Sequence, residues 1–457
     1  NLIMLILIKK LLKLLFKIAV SKRLYTMLSL VYSFVIEELT ANGGTIRPSK
    51  HAENNKITIL ILSSKSFRMD IDYIVATNEF RVLRIPDHWQ SRLIYQFYPE
   101  EFQKYSVVGR NPDNSDFKYK KEQKELREFL QYFLSKLYKK IAINCVISPH
   151  PIYVVDMDWG AVSTKMGVPH ILINRDSQFA SSPHLFNRLE ILFRDSLPKF
   201  EGRHVIVQSE LDIEAYVGTG YVDVKNISSL GCPRMDELIR KSKEKGRVTE
   251  KRRKKIVFLA FIHTETGTYE TSDLLPYVEE LHLFFVRFAI QYPEIDVVMK
   301  TKPKSFHGWK EKILYESIKG SSIDLNRIPN LIASGDIDIH TLLCESDVVC
   351  GIDTSVLLEA AVIGLPVIIP YFKDLQNPKY DKRVFYRDAY DLFDIAESLE
   401  DLESLILKRL QDSVIEKDIM GGRKALFEKY ISSVEGGATE KYVTLIKEIV
   451  NKQNGDI

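Results

Sequence analysis

The sequence predicts an α/β protein made of two doubly wound, Rossmann-like domains, and three observations lead to that expectation. The chain has 457 residues, which is too long for one ordinary domain and fits two of roughly 200 residues. Its composition, 45% hydrophobic and 27% charged, gives enough apolar residues for two cores. From residue 57 onward, short β-branched runs alternate with longer amphipathic segments, which is typical of parallel sheets covered by helices.

The first series of predicted strands belongs to an N-terminal domain, residues 50–238. Amphipathic segments at 121–140 and 185–193 indicate helices between the strands. Because each strand run is almost continuously apolar, we expect both faces of the sheet to be buried. The runs are Ile57–Leu62, Cys145–Ile147, His170–Asn174, His204–Gln208 and Asn226–Leu230.

A basic segment, residues 239–254, is predicted to link this domain to a second one at 255–457. Ten of the sixteen residues 240–255 are Lys or Arg, which makes the segment poor core material. A nucleic-acid surface is the alternative, but no aromatic residue interleaves the charges for base stacking, and the net charge of +3 is small. The second series of strand runs is Lys255–Phe261, Ile295–Met299, Asp347–Gly351 and Pro366–Pro370.

Residues 1–25 are predicted to form an amphipathic helix that lies on an anionic membrane surface. Residues 2–8 are all apolar, and Lys9, Lys13 and Lys17 recur every four residues along one face. No apolar run reaches the roughly 20 residues that span a bilayer. On this view, deleting residues 1–23 releases the protein from vesicles and leaves the domains folded. The alternative is a helix docked on the protein's own surface.

The strongest chemical signal is the segment Asp347–Pro370, in which a buried strand leads into the polar turn Asp353-Thr354-Ser355. Backbone N–H groups and hydroxyls at this turn suit a phosphate. Glu359 interrupts an apolar helix one turn later, where its carboxylate can accept hydrogen bonds from a ribose. We expect the start of this helix to face solvent. The alternative is a capped βαβ unit in which Asp353 or Thr354 is only the N-cap.

This segment resembles the donor-binding region of GT-B glycosyltransferases and the related UDP-N-acetylglucosamine 2-epimerases. The correspondents are Thr354–Ser355, Glu359 and the closing Gly364-Leu365-Pro366-Val367. The Thr-Ser turn is more similar to CDP-glycerol transferases and sialyl- or Kdo-transferase-type enzymes than to the Ser-Gly-Gly turn of the epimerases. Three further segments agree, with Lys302 in place of a usual His and Lys441 in place of an Arg: Ser229–Leu238, Asp296–Pro303 and Gly436–Lys441.

Two other segments are predicted to contact the donor. Lys300, Lys302 and Lys304 follow a strand and can neutralise a leaving nucleotide phosphate from one side of an extended chain, unless they form a solvated basic loop. Thr266, Gly267 and Thr268 lie in the first loop of the second domain and suit a phosphate or an acceptor, unless they only cap the next helix.

Three residues are candidates for the catalytic base in the N-terminal domain. An inverting glycosyltransferase needs a carboxylate or a histidine to deprotonate the acceptor hydroxyl. Asp158, Asp176 and His150 all follow predicted strands, where a doubly wound domain binds its ligands. Each can instead be a loop cap or a surface charge.

The resemblance implies a GT-B fold with two domains facing a cleft, and a metal-independent transfer without a cofactor. The donor is expected to be a CMP-, CDP- or UDP-activated sugar or polyol phosphate, and the acceptor a surface polysaccharide or glycolipid at the cytoplasmic face of a bacterial inner membrane. The cysteines form no CxxC pair and no His cluster has zinc spacing, which fits a reducing compartment. The alternatives are a sugar-nucleotide 2-epimerase and a non-catalytic scaffold that binds nucleotide sugars.

Overall fold

A computed structural model describes most of the chain as two compact units. The first comprises Asn1–Ser177, Leu189–Arg234 and Gly437–Ile457, and the second comprises Gln178–Arg188 and Met235–Gly436. The residues described are 2–48, 56–63, 70–99, 119–151, 154–174, 181–195, 197–245, 252–260, 274–303 and 306–455.

Fourteen strands are found in the described residues. In the first unit they are β1 Glu37–Leu39, β2 Thr45–Ile46, β3 Ile57–Ile61, β4 Phe80–Arg84, β5 Cys145–Ser148, β6 His170–Ile173, β7 His204–Val207 and β8 Ile227–Ser229. In the second unit they are β9 Lys254–Leu259, β10 Ile295–Lys300, β11 Leu331–Ser334, β12 Val348–Gly351, β13 Val367–Pro370 and β14 Asp394–Ala396.

The α-helices fall between these strands. Up to residue 218 they are α1 Leu2–Ser21, α2 Tyr25–Val35, α3 Asp70–Ala76, α4 Asp87–Ile94, α5 Lys120–Lys140, α6 Val154–Lys165, α7 Pro183–Asp195 and α8 Glu210–Gly218. They continue as α9 Pro233–Lys245, α10 Leu275–Gln291, α11 Phe306–Trp309, α12 Tyr315–Ser317, α13 Ile339–Cys344, α14 Val356–Val362, α15 Pro378–Asp381, α16 Leu399–Gln411, α17 Lys417–Tyr430 and α18 Ala438–Gly455.

The sheet of the first unit has the strand order β2-β1-β4-β3-β5-β6-β7-β8. β1 pairs antiparallel with β2 and with β4, and all the other pairs are parallel. The chain passes from β3 to β4 on one side and then returns to β5 on the other side of β3. The strand order therefore reverses between β3 and β5, and such a reversal opens a crevice at the carboxyl ends of the strands.

The sheet of the second unit is entirely parallel, with the order β11-β10-β9-β12-β13-β14. Here the chain runs from β9 through β10 to β11 and then returns to β12 on the other side of β9. The reversal lies between β9 and β12, so the loops that follow these two strands flank the crevice of this unit.

These two mostly parallel sheets, whose strands are connected by helices, confirm the predicted fold class. Each of the nine apolar runs identified in the sequence forms a strand, and β5, β6, β7, β12 and β13 are buried along their whole length. The short or half-exposed strands β1, β2, β11 and β14 lacked that continuous apolar signal.

The last helix of the chain, α18, belongs to the first unit, whereas the sequence assigned it to the domain 255–457. The reason is its apolar face: Tyr442, Ile446 and Ile449 are buried in one cluster with Ile71 and Ile74. Tyr442 also donates a hydrogen bond from its hydroxyl to the Gly231 carbonyl at 3.0 Å. The segment predicted as a linker, 239–254, begins within α9, and residues 246–251 lie outside the described residues.

The first helix, α1, is docked along one face. Phe16 and Ala19 are buried in a core cluster with Tyr32 and Trp89. The rings of Phe16 and Trp89 pack edge to face, with their centroids 5.4 Å apart. The opposite face keeps apolar residues exposed, namely Leu11, Leu14 and Ile18. Within the described residues, no helix combines the length and the apolarity needed to cross a membrane.

Candidate functional site

The turn after β12 lies at the strand-order reversal of the second unit and holds the predicted residues Asp353, Thr354 and Ser355. Asp353 has a left-handed backbone, with φ 52°, a conformation that Asp tolerates better than most residues. Its Oδ1 accepts a hydrogen bond from the Phe385 amide at 2.9 Å, so the side chain fixes the turn to a neighbouring loop. Thr354 accepts a hydrogen bond from the Val356 amide at 3.3 Å, as a local cap does.

Glu359 is the most unusual group at this site because it is a buried carboxylate, only 3% exposed. Glu359 itself does not face solvent, whereas Ser355 and Val356 at the start of α14 are half-buried. His340, 1% exposed, places Nε2 3.2 Å from one carboxylate oxygen, and Ser355 donates from Oγ to the other oxygen at 3.4 Å. A carboxylate is rarely buried without such partners. The two contacts therefore explain how an apolar helix accommodates Glu359.

His340 is the residue at this site that sequence reasoning missed. It lies in the first turn of α13, which follows β11, and no motif marks it. An ionised carboxylate is only an acceptor, so Nε2 is the nitrogen that donates to Glu359. Nδ1 is buried, and none of the described residues offers it a hydrogen-bond partner. The only available signal in the sequence was its position beyond the carboxyl end of a strand.

Lys300 and Lys302, predicted to contact donor phosphates together, lie in different surroundings. Lys300 ends β10 and is 9% exposed, and its Nζ donates to the carbonyls of Thr301 and Gly335, the latter at 2.9 Å. Burial lowers the pKa of this ammonium, while Asp336 and Asp338 act in the opposite direction. Lys302 is exposed, and Lys304 lies outside the described residues.

Asp158, a candidate base, is fully buried on α6 and carries an ion pair. Its Oδ1 accepts from Arg127 Nε at 2.8 Å and from the Gln123 amide at 2.9 Å, and its Oδ2 accepts from the Tyr98 hydroxyl at 3.3 Å. A carboxylate occupied by these three donors is suited to tie α6 to α5. The geometry favours a structural role over the proton transfer predicted from the sequence.

Of the remaining predicted residues, in the first unit and in the loop after β9, the structure describes only His150. His150 follows β5 and is 5% exposed. Asp176, Thr266, Gly267 and Thr268 lie outside the described residues, so their predicted roles stay predictions.

Comparison with known proteins finds similar folds and no sequence relative. No protein-family model and no curated protein matches the chain. Among solved structures, UDP-GlcNAc 2-epimerase of Neisseria meningitidis, solved bound to UDP-GlcNAc, is 11% identical with a TM-score of 0.46, covering 86% of this chain and 99% of its own. The epimerase of Methanocaldococcus jannaschii is 11% identical with a TM-score of 0.48, covering 86% and 100%.

A third similar structure is the glycotransferase of kitacinnamycin, 12% identical with a TM-score of 0.44, covering 86% of this chain and 98% of its own. Likeness at this level concerns the fold and says nothing about the reaction. In this chain a buried carboxylate, two hydroxyls and a lysine lie at the carboxyl ends of the parallel sheet of the second unit.

Proposed function

We propose that the protein is a glycosyltransferase whose second unit binds a nucleotide-activated donor. The observation that carries this proposal is Glu359, a carboxylate buried beside the strand-order reversal and held by His340 and Ser355. Doubly wound domains bind nucleotides at this place, and a carboxylate there accepts hydrogen bonds from ribose hydroxyls. The sequence resemblance to GT-B donor segments assigns the same role to Glu359.

The donor phosphates have partners in the same unit. Thr354 and Ser355 are half-buried and carry hydroxyls beside the start of α14. Lys302 is exposed beyond the carboxyl end of β10, which β9 separates from β12, and a cation at such a strand end stabilises the charge that develops on a leaving phosphate. Lys300 holds backbone carbonyls, so we assign it to shaping the loop rather than to the phosphate.

The donor is tested first by thermal shift with CMP-, CDP-, UDP- and GDP-sugars. A ligand at 100 times its dissociation constant adds about 2.7 kcal/mol of stability. With the nucleotide so identified, Glu359→Ala is expected to weaken binding by roughly 10- to 150-fold, because a hydrogen bond to a charged group contributes about 1.5–3 kcal/mol. Calorimetry on the folded variant measures this change.

Glu359→Gln is the matched control, since it keeps the shape and the contacts to His340 and Ser355 and removes only the charge. We expect it to fold like the wild type and to bind the nucleotide with an intermediate affinity. Unchanged affinity in both folded variants would show that the donor is bound elsewhere.

A sugar-nucleotide 2-epimerase is the second candidate, because its donor segment shares the ribose-binding carboxylate. The Thr354–Ser355 turn in place of a Ser-Gly-Gly turn favours transfer. Incubation of the protein with the identified nucleotide sugar alone separates the two, followed by NMR of the sugar. Inversion at C2 without an acceptor would identify an epimerase, whereas a transferase leaves C2 unchanged.

We also propose that the protein binds the cytoplasmic face of an anionic bacterial membrane, where its glycan or glycolipid acceptor is presented. The support is the outer face of α1, where Leu11, Leu14 and Ile18 are spaced by three and four residues and stay exposed. Lys17, Lys22 and Arg23 are exposed nearby and complement anionic headgroups. Because Phe16 and Ala19 of the same helix are buried, deleting residues 1–23 would damage the core.

The membrane proposal is tested by changing only the outer face. Leu14→Glu is expected to abolish flotation with phosphatidylglycerol-containing vesicles and to leave the unfolding transition unchanged, because Leu14 is 55% exposed. Val414→Glu, at an exposed apolar residue of the second unit, is the matched control and should float like the wild type. Flotation of Leu14→Glu at the wild-type level would contradict membrane binding by this face.

A further inference from the structure

Asp156, two residues before Asp158 on α6, is the centre of a buried polar network in the first unit. It is fully buried, and its Oδ1 accepts hydrogen bonds from the Ser63 hydroxyl, at 2.8 Å, and from the Gln90 side-chain amide. Ser63 follows β3, and α6 follows β5. The network therefore lies at the strand-order reversal of this unit, the place where a doubly wound domain binds ligands.

The backbone on the β3 side of the network is strained. Ser63 has φ 46°, a left-handed conformation that costs a non-glycine residue of order 1–3 kcal/mol and that clusters at functional sites. Gln90 holds it there, since its Oε1 accepts from the Ser63 amide at 3.0 Å while its Nε2 donates to the Val155 carbonyl at 3.1 Å. One glutamine thus fixes both Ser63 and the start of α6 around Asp156.

The second oxygen of Asp156 is the feature that points to chemistry. Oδ2 is buried, and the described part of the chain provides no hydrogen-bond partner for it. Asp158 on the same helix differs, because Arg127 pairs with it. Within the described ranges no cation pairs with Asp156. Burial raises its pKa to about 7, Ser63 and Gln90 oppose the rise, and Asp87 is the charged neighbour that adds to it. Carboxyl groups on one element with contrasting surroundings are a mark of acid–base sites.

We propose that Asp156 is the general base of the reaction, with a sugar hydroxyl of the acceptor as its substrate group; this inference rests on the proposed glycosyl transfer. The acceptor hydroxyl gives its proton to the ionised Asp156 carboxylate. Its oxygen forms the bond to the anomeric carbon, and the bond from that carbon to the donor phosphate oxygen breaks, with the electron pair leaving on the nucleotide. Ser63 and Gln90 are positioning residues, which hold Oδ1 and leave Oδ2 for the proton.

A purely structural carboxyl is the alternative, and kinetics distinguish the two. Asp156→Asn keeps the shape and cannot accept the proton, so turnover with the identified donor and acceptor is expected to fall at least about 100-fold with donor affinity unchanged. The acid limb of kcat/KM for the wild type is expected near pH 7. Asp212→Asn is the matched control: Asp212 is a buried carboxylate of the same unit that caps α8 through Ser209, so this variant should keep its turnover.

The outcomes distinguish a failure of the role of Asp156 from a failure of the proposed glycosyl transfer. A wild-type protein that transfers no sugar from any donor overturns both. A wild type that transfers, with a folded Asp156→Asn variant of equal turnover, overturns only the role of Asp156. If Asp156→Asn does not fold, the wild-type pH profile decides, and the absence of a limb between pH 6 and 8 overturns the proposal.

Discussion

In both units the strand order reverses beside the first parallel strand, and polar side chains collect at the carboxyl ends there, yet the two collections differ in chemistry. The second unit presents Glu359 with two hydroxyls after β12 and an exposed lysine after β10 of the same sheet. The first unit presents Asp156, held by a hydroxyl and an amide and without a cation at hydrogen-bond distance among the described residues. The same reversal of strand order therefore carries different chemistry in the two units.

The difference follows from what each carboxylate is paired with. His340 donates to Glu359 and keeps a hydrogen-bonding carboxylate inside an apolar helix, which suits the recognition of hydroxyl groups. Asp156 is met by neutral donors on one oxygen, so burial makes its ionisation costly and brings its pKa into the physiological range. The first arrangement favours binding, and the second favours exchange of a proton.

The largest effect on stability is expected at Asp158, the ion-paired neighbour of Asp156. Removing its carboxylate sharpens the comparison between a paired and an unpaired buried carboxylate. Asp158→Ala leaves the half-buried Arg127 with Glu201 as its one ion-pair partner in the described part of the chain, and it is expected to lower the free energy of unfolding by about 3–5 kcal/mol. Urea denaturation measures it. Glu201→Ala, at the exposed partner of the same arginine, should cost less than about 1 kcal/mol. An Asp158→Ala variant that is as stable as the wild type but inactive would return Asp158 to the role of base.

The second prediction tests the surroundings of Asp156 through stability. Its folded pKa of about 7 lies above the ordinary 3.8, so the folded state holds a proton that the unfolded state has lost, and stability falls as the pH rises toward 7. Between pH 5 and pH 8 the ionisation of Asp156 is expected to lower the free energy of unfolding by about 3 kcal/mol. Asp156→Asn should lack this loss, so its unfolding free energy rises by that amount relative to the wild type over the interval. Parallel pH curves would contradict the raised pKa.

The sequence predicted the strands better than the site, and the reason is physical. A strand buried on both faces, such as Cys145–Ser148 or Val367–Pro370, carries its signal in its own composition. The roles of Asp156 and Asp158 depend on Gln90 and Arg127, which lie 66 and 31 residues away along the chain, so two aspartates on one helix look alike in the sequence. Glu359 was detectable because a carboxylate in an apolar helix is conspicuous without its partner.

The docked helix α1 shows the same limit of prediction from the sequence. Its lysine spacing predicted an amphipathic helix, and both the membrane-facing and the docked interpretations were open. The residues that dock, Phe16 and Ala19, are apolar like those that stay exposed, Leu11 and Leu14. Composition does not distinguish the apolar residues that dock from those that stay exposed, because docking depends on Tyr32 and Trp89, which contact Phe16 from elsewhere in the chain.

The smallest effect is expected at His340, and it tests whether the binding site depends on the partner of its carboxylate. If Nε2 orients Glu359 toward a ribose, His340→Leu should reduce the preference for a ribonucleotide over its 2′-deoxy analogue by roughly 10-fold, the equivalent of about 1.4 kcal/mol and in the range of one hydrogen bond. The measurement is the ratio of the two dissociation constants by calorimetry, because a general loss of structure weakens both ligands alike.

Two further variants serve as controls for His340→Leu. His340→Gln offers an amide N–H close to the position of Nε2 and should retain most of the preference. Ser355→Ala removes the longer contact, 3.4 Å against 3.2 Å, and should change the ratio by less than about threefold, since a hydrogen bond weakens at that distance. If Ser355→Ala instead weakens ribo and deoxy nucleotides equally and strongly, its hydroxyl contacts the phosphates directly. A ratio unchanged in His340→Leu would mean that Glu359 holds its orientation without the histidine, and that the buried pair serves the packing of α13 against α14.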